Sequence, residues 1–344
     1  MKYIGNKTRL LNFIEASMRE SQLPEEGTFI DIFGGTGSVG NHFKRLGYRI
    51  ISNDIMTYSA TAQRVLVEFN ETPNFLGVSN KGIQGVLEIL NNPDLQEEGF
   101  AFANYAPSGE YGRQYFSDVN ARRIDATRDM IEQWKTDGRL TQQEYDILVF
   151  ALVDAADFVA NISGTYGAYL KIWRSMALKP LILKAPELYD NHLQNKVYQR
   201  DSNELIREIQ GDILYLDPPY NERQYAPNFH VLESLTVWDK PQLRGKTGQR
   251  EYEDKKSLYC RHGVAETALR DLVENANVRY IVMSYNNEGI IPREKLIDIL
   301  NGVGNLVEYR QNYRRFRTEK DSDTRHYKQC DDKVVEHLYV VEKR

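Results

Sequence analysis

Ile213 to Leu216 is a run of four apolar residues that meets an acid, Asp217, then two consecutive prolines, Pro218 and Pro219, and then Tyr220. The run has the length and composition of a buried strand. Neither proline can donate to a sheet, and Pro219 biases Pro218 away from the α region, so the strand has to stop here. A carboxylate, two rigid carbonyls and an aromatic ring therefore project from the carboxyl end of a buried strand. That is where open α/β sheets hold their ligands.

Each part of Asp217-Pro218-Pro219-Tyr220 suits a planar base carrying an amino group. Asp217 can accept one N–H of the amine and the Pro218 carbonyl the other. Two acceptors on a stiff backbone would draw electron density onto the nitrogen and aim its lone pair at an electrophile. Tyr220 offers a face on which the base can stack. The bland alternative is a strand end followed by a turn, because Asp-Pro and Pro-Tyr are ordinary turn chemistry.

A second constellation lies upstream. Phe29 to Phe33 reads as a first strand, and Gly34-Gly35-Thr36-Gly37-Ser38-Val39-Gly40 opens a helix through Phe43 and Leu46. Tyr48 to Ser52 reads as a second strand ending in Asn53-Asp54, where a carboxylate can grip a ribose diol. Gly35-x-Gly37-x-x-Gly40 with Asp54 also matches the dinucleotide fingerprint, so an NAD-dependent oxidoreductase competes on this evidence alone. Asp-Pro-Pro-Tyr, which a dehydrogenase does not need, weighs against it. Val197 to Asp201 reads as a third strand ending in an acid, or as a strand followed by one more surface aspartate.

Together these motifs resemble the D12 class of DNA adenine-N6 methyltransferases, the group containing Dam-type enzymes, with the closer look to type IIS-like modification methylases. The resemblance covers residues 3 to about 240 and, more weakly, the C-terminal strands. It implies an α/β, Rossmann-like S-adenosylmethionine-dependent methyltransferase sheet. It implies that Tyr3 and Lys7 contact S-adenosylmethionine, that Phe33, Gly35 and Gly37 form the donor loop, that Asp54 binds the ribose, and that Asp201 binds the donor adenine, with Asp217 also facing the donor. Catalysis would fall to Asp217, Pro218, Pro219 and Tyr220 acting on a flipped-out adenine, in line, with no metal and no covalent enzyme intermediate. The partners implied are double-stranded DNA and, in a restriction–modification setting, a cognate restriction endonuclease. An RNA adenine-N6 methyltransferase would hold its base in the same way and stays open.

The resemblance also places the target-recognition domain between the donor loop and Asp-Pro-Pro-Tyr. We expect a catalytic domain from residues 1–72 and 196–344, and a mainly helical insertion, 73–195, that reads DNA. Within it, 120–135 reads as an exposed helix, and a second helix starts at Thr141 with Glu144 three residues on, a capping box. Asn161 to Lys171 carries glycines, hydroxyls, tyrosines and a lysine, and Lys171, Arg174, Lys179 and Lys184 extend a positive stretch. This suits a phosphate or base contact, and equally a solvated helix edge.

Beyond Tyr220, Tyr225 and His230 are candidates for the target pocket, and 239–259 reads as a polar loop. Val278 to Ser284 reads as a strand, Pro292 to Leu300 as a helix, and Leu306 to Tyr309 with Val334 to Val341 as an antiparallel pair. Their connection holds Arg310, Arg314, Arg315 and Arg317 with Tyr313 and Phe316, which suits a phosphate backbone or a solvated hairpin.

The 344 residues, 41% hydrophobic and 27% charged, provide ample core for one large or two ordinary domains. The net charge of −5 argues mildly against a protein that coats nucleic acid, though not against a local basic groove. Two cysteines cannot form a disulfide framework or a zinc cluster, no secretory signal is visible and no stretch is apolar enough to span a membrane. The expectation is a cytoplasmic protein, monomeric by default.

Overall fold

The computed structural model describes residues 7–314 and 333–344. These form two compact units. The sheet unit draws on 7–55, 193–225 and the described part of 255–344, and the helical unit on 56–192 and 226–254.

The sheet unit holds seven strands: β1 (Thr28–Asp31), β2 (Arg49–Asn53), β3 (Lys196–Tyr198), β4 (Ile213–Leu216), β5 (Tyr280–Asn286), β6 (Gly304–Arg314) and β7 (Lys333–Lys343). Their order is β3-β2-β1-β4-β5-β7-β6, parallel from β3 to β5, with β7 antiparallel to both β5 and β6. The chain thus runs outward from β1 to β3 and then returns to lay β4 beside β1, with Asp31 opposite Tyr215. The strand order reverses between β1 and β4, and the carboxyl ends beside such a switch point are where open α/β sheets hold ligands.

All four residues of β4 are buried, as the apolar run requires. Ile30, Leu214, Leu216, Ile281 and Met283 share one face, packed on Leu269 and Leu272 of the helix Ala265–Asn275 and on Leu296 and Ile299 of the helix Arg293–Val303. On the opposite face Phe29 stacks on Phe43 of the helix Ser38–Arg45 and on Tyr215. Each fully buried side chain of this size adds about 1.5–3 kcal/mol, so the motif sits on a rigid base. The third strand is shorter than its sequence suggests, ending at Tyr198, and Pro292 is the N-cap of its helix rather than a member of it.

In the helical unit the capping box is present: Thr141 accepts from the Glu144 N–H and Glu144 reaches back to the Thr141 N–H, starting the helix Gln142–Phe158. Thr141→Ala is expected to lower the stability of this unit by about 1 kcal/mol in urea unfolding. The helix expected at 120–135 spans Asp118–Thr136 and is not exposed, for its middle turns are buried. Two of its buried charged residues are satisfied from within. Asp125 accepts the N–H groups of Ala101 (2.6 Å) and Phe102 (2.7 Å), and Arg128 donates to the carbonyls of Leu235 (3.0 Å) and Thr236 (3.1 Å). No helix of the described residues is long and apolar enough to cross a membrane.

Candidate active site

The glycine-rich turn leaves β1 and is held from three sides. Gly34 N–H donates to the Asn53 carbonyl (2.9 Å), Gly35 N–H to Asp54 Oδ2 (3.0 Å) and Gly40 N–H to Asp31 Oδ2 (3.2 Å). Gly35 (φ 52°) and Gly37 (φ 78°) occupy the left-handed region, and Gly37 is the N-cap of Ser38–Arg45. A side chain at either position would strain the turn and crowd whatever lies against it. Phe33 packs its ring edge-on to Tyr259, with centroids 4.9 Å apart.

Asn53, 2% exposed, ties the ends of the strands together. Its amide donates to the carbonyls of Ile32 and Arg200, both at 3.1 Å, and accepts the Arg200 N–H (3.0 Å). This brings the loop that carries Asp201 to the same edge as the glycine turn. Asp201 itself does not end a strand. It is exposed and caps the short helix Ser202–Leu205, its carboxylate accepting from Asn203 and Glu204 N–H.

Asp217 leaves β4 with its side chain 16% exposed. Lys7 Nζ lies 3.2 Å from Asp217 Oδ1 and 2.7 Å from Glu336 Oε1, and Ser284 Oγ donates to the same Glu336 oxygen (2.6 Å). Burial opposes the charge of Lys7, but Asp217 and Glu336 outweigh it and hold its pKa well above the lysine range. Burial pushes Asp217 up to about 6, Lys7 pulls it down, and Glu336 pushes it up again. Asp217 is thus mainly ionised at neutral pH. Pro218 is buried, the Tyr220 carbonyl accepts the Ile290 N–H (2.8 Å), and the Tyr220 ring stands edge-on to Tyr285.

Sequence reasoning did not single out Asp31, Glu336 or Ser284. Asp31 is 1% exposed, and among the described residues its Oδ1 has no hydrogen-bond partner. Burial, with Asp217 and Asp54 nearby, lifts it to about 8. An acid inside the apolar run Phe29-Ile30-Asp31-Ile32 was the available signal.

Tyr3 lies outside the described residues, as do Arg315, Phe316 and Arg317. Arg310 pairs with Glu308 (2.8 Å). His230 belongs to the helical unit as the first residue of the helix His230–Val237. It is fully buried, with Nε2 3.1 Å from the Tyr166 carbonyl, and burial pushes its pKa down to about 4, so it is a neutral core histidine. The 161–171 segment is a pinned hairpin and not a helix edge. Ile162 pairs with Tyr169, buried Asn161 donates to the Leu170 carbonyl (2.9 Å), and buried Tyr166 donates to Asp157 (3.0 Å). Lys171 at its end and Ile172 just beyond are exposed.

The sequence model of D12 class N6 adenine-specific DNA methyltransferases matches residues 3–299. The chain belongs to this family. The mixed seven-stranded sheet accords with the fold of the D12 methyltransferases, in which a methyl donor is implied. Its antiparallel β7, placed between β5 and β6, departs from the 3-2-1-4-5-6 dinucleotide order, and the family match outweighs the glycine fingerprint that suggested a nicotinamide enzyme. Type II methyltransferase M.FokI of Planomicrobium okeanokoites is 38% identical over the whole chain, which covers 53% of that protein. Modification methylase StsI of Streptococcus sanguinis is 38% identical over 94% of the chain and 50% of its own length. Type II methyltransferase M.NlaIII of Neisseria lactamica is 37% identical over the whole chain and 99% of its own length. The chain therefore spans about half the length of the first two relatives and nearly all of the third.

Proposed function

We propose that this chain transfers the methyl group of S-adenosylmethionine to adenine N6 at a fixed site in double-stranded DNA, as the modification partner of a restriction endonuclease. The observation that carries this reading is the placement of the glycine turn and Asp-Pro-Pro-Tyr on adjacent strands, β1 and β4, on either side of the sheet's switch point. Names of the relatives, which are type II methyltransferases and modification methylases, support the same setting.

The residues present suit the donor. Asp54 and Asp217 both lie near enough to Asp31 to push its pKa up, and the buried Asp31 oxygen lacks a partner among the described residues. Such an edge suits a ligand with a diol and amino groups, and the ionised Asp217 favours one that is also a cation. Gly35 and Gly37 would let the backbone approach it, Asp54 would take the ribose and Asp201 the adenine amine, with Lys7 and Phe33 alongside. When bound, the donor supplies an electrophilic methyl on a positively charged sulfur.

The chain's own groups hold the acceptor. The amine of a paired adenine is out of reach for in-line attack, so the nucleotide has to leave the helix, at a cost of about a few kcal/mol. Tyr220 gives the base its stacking face, on a backbone fixed by Ile290. Asp217 and the Pro218 carbonyl accept the two N–H groups and orient the lone pair. Asp217 need not be a strong base, because the nitrogen becomes acidic only once methylated. The helical unit, with its pinned 161–171 hairpin and exposed Lys171, Arg174, Lys179 and Lys184, is our candidate for target recognition.

The test is methyl transfer from labelled S-adenosylmethionine to unmethylated genomic DNA, followed by sequencing that detects modified adenine. Incorporation at one short motif is expected. Donor binding without incorporation into DNA would redirect the reading to RNA or protein amides. Binding of NADH in place of S-adenosylhomocysteine would overturn it.

A further inference from the structure

We propose that Glu336 is a positioning residue which, through Lys7, fixes where Asp217 sits and how readily it gives up its charge. Its catalytic meaning rests on the methyl-transfer reading above. Glu336 lies on β7, beyond the residues that the family's sequence model matches. It is 4% exposed, yet Leu338 and Val340 follow it on the same face of the strand, opposite Ser284 and Val282. An apolar side chain would continue that face. A buried ion pair is weak evidence for stability, since hydrophobic replacements of similar size are often neutral or better. A carboxylate kept here calls for another use.

The contacts supply one. Glu336 Oε1 takes Lys7 Nζ at 2.7 Å and Ser284 Oγ at 2.6 Å, and the same ammonium reaches Asp217 at 3.2 Å. Ser284 anchors Glu336 to β5, Glu336 anchors a flexible lysine, and the lysine holds the carboxylate that leaves β4. The groups facing Asp217 are Lys7 from the N-terminal segment, Glu336 from β7, Tyr215 and Tyr220 from β4 and its turn, and Asp31 from β1. Lys7 is the cation among these five. Two carboxylates compete for it, so the charge on Glu336 weakens the hold of Lys7 on Asp217. Asp217 is left ionised, with Oδ1 held toward Lys7.

The competition has a sign that packing alone does not produce. Glu336→Gln keeps the shape and an acceptor for Ser284 but removes the charge, so Asp217 should titrate lower, by about one pH unit. Lys7→Met leaves two facing carboxylates without their cation, so Asp217 should titrate higher, by at least as much. The experiment is a pH titration of full-length protein labelled with ¹³C at the aspartate carboxyls. The Asp217 signal is assigned by its loss in Asp217→Asn. Alongside it runs the acid limb of kcat for methyl transfer to unmethylated genomic DNA.

Opposite shifts in the two variants, with the acid limb following the titration, are expected. An Asp217 midpoint unchanged in Glu336→Gln would overturn the proposal, whatever the loss of rate. Midpoints that shift in a chain that methylates no adenine would support the coupling and overturn the methyl-transfer reading instead.

Discussion

Asp217→Ala should lower the single-turnover rate of methyl transfer by about 10²–10³-fold, the cost of removing one preorganised hydrogen-bonding group from a reacting centre. Binding of S-adenosylhomocysteine should stay within a few-fold, because the glycine turn and Asp54 are held by contacts that do not pass through Asp217. The fold should also survive. Lys7 keeps Glu336 at 2.7 Å, so the substitution leaves no buried charge without a partner. Asp217→Asn retains one acceptor oxygen and should fall between the two. Measured under single turnover with saturating DNA, full activity in the alanine variant would remove Asp-Pro-Pro-Tyr from the mechanism.

Arg128→Met should be the most damaging single change to the helical unit, at about 3–5 kcal/mol. The guanidinium is completely buried. It donates to the Leu235 and Thr236 carbonyls, to the Tyr145 hydroxyl (2.6 Å) and to Glu132 (2.7 Å). Those carbonyls belong to the last turn of His230–Val237, where no helical donor remains for them. Methionine fills part of the volume but satisfies none of these groups. The three tryptophans, Trp134, Trp173 and Trp238, all lie in this unit, so tryptophan fluorescence in urea reports on it. A midpoint lowered by more than about 1 M is expected, and an unchanged midpoint would show that the carbonyls find other donors.

Local patterns carried much of this structure. The proline-terminated β4, the glycine turn and the Thr141–Glu144 box are each defined within about ten residues, and each forms where the sequence places it. What escaped was long-range. Asp118–Thr136 reads as exposed because Asp125 and Arg128 are charged, and only the folded partners, 23 and 107 residues away, make them core residues. Glu336 meets Lys7 across 329 residues, and no window of sequence joins them. Asp201 was read as the end of a strand, although Asp201-Ser202-Asn203-Glu204 has the form of a helix start, and the structure caps a helix with it. The candidate site divides along the same line, with motif residues visible from composition and spacing, and the groups that set their charge visible only through strand pairing.

The interleaving of the two units has a consequence for how the protein is made. β1 and β2 are complete once Asn53 has left the ribosome, but β4, which covers the open edge of β1, begins at Ile213. At about 5–20 residues per second, the 159 intervening residues take about 8–32 s. Throughout that interval the nascent sheet exposes an apolar edge able to pair with another chain. The helical unit cannot close first either, because it waits for 226–254. Slow translation or high copy number should therefore favour aggregation of the nascent chain, and trigger-type holdases that cover strand edges should raise the yield of folded protein.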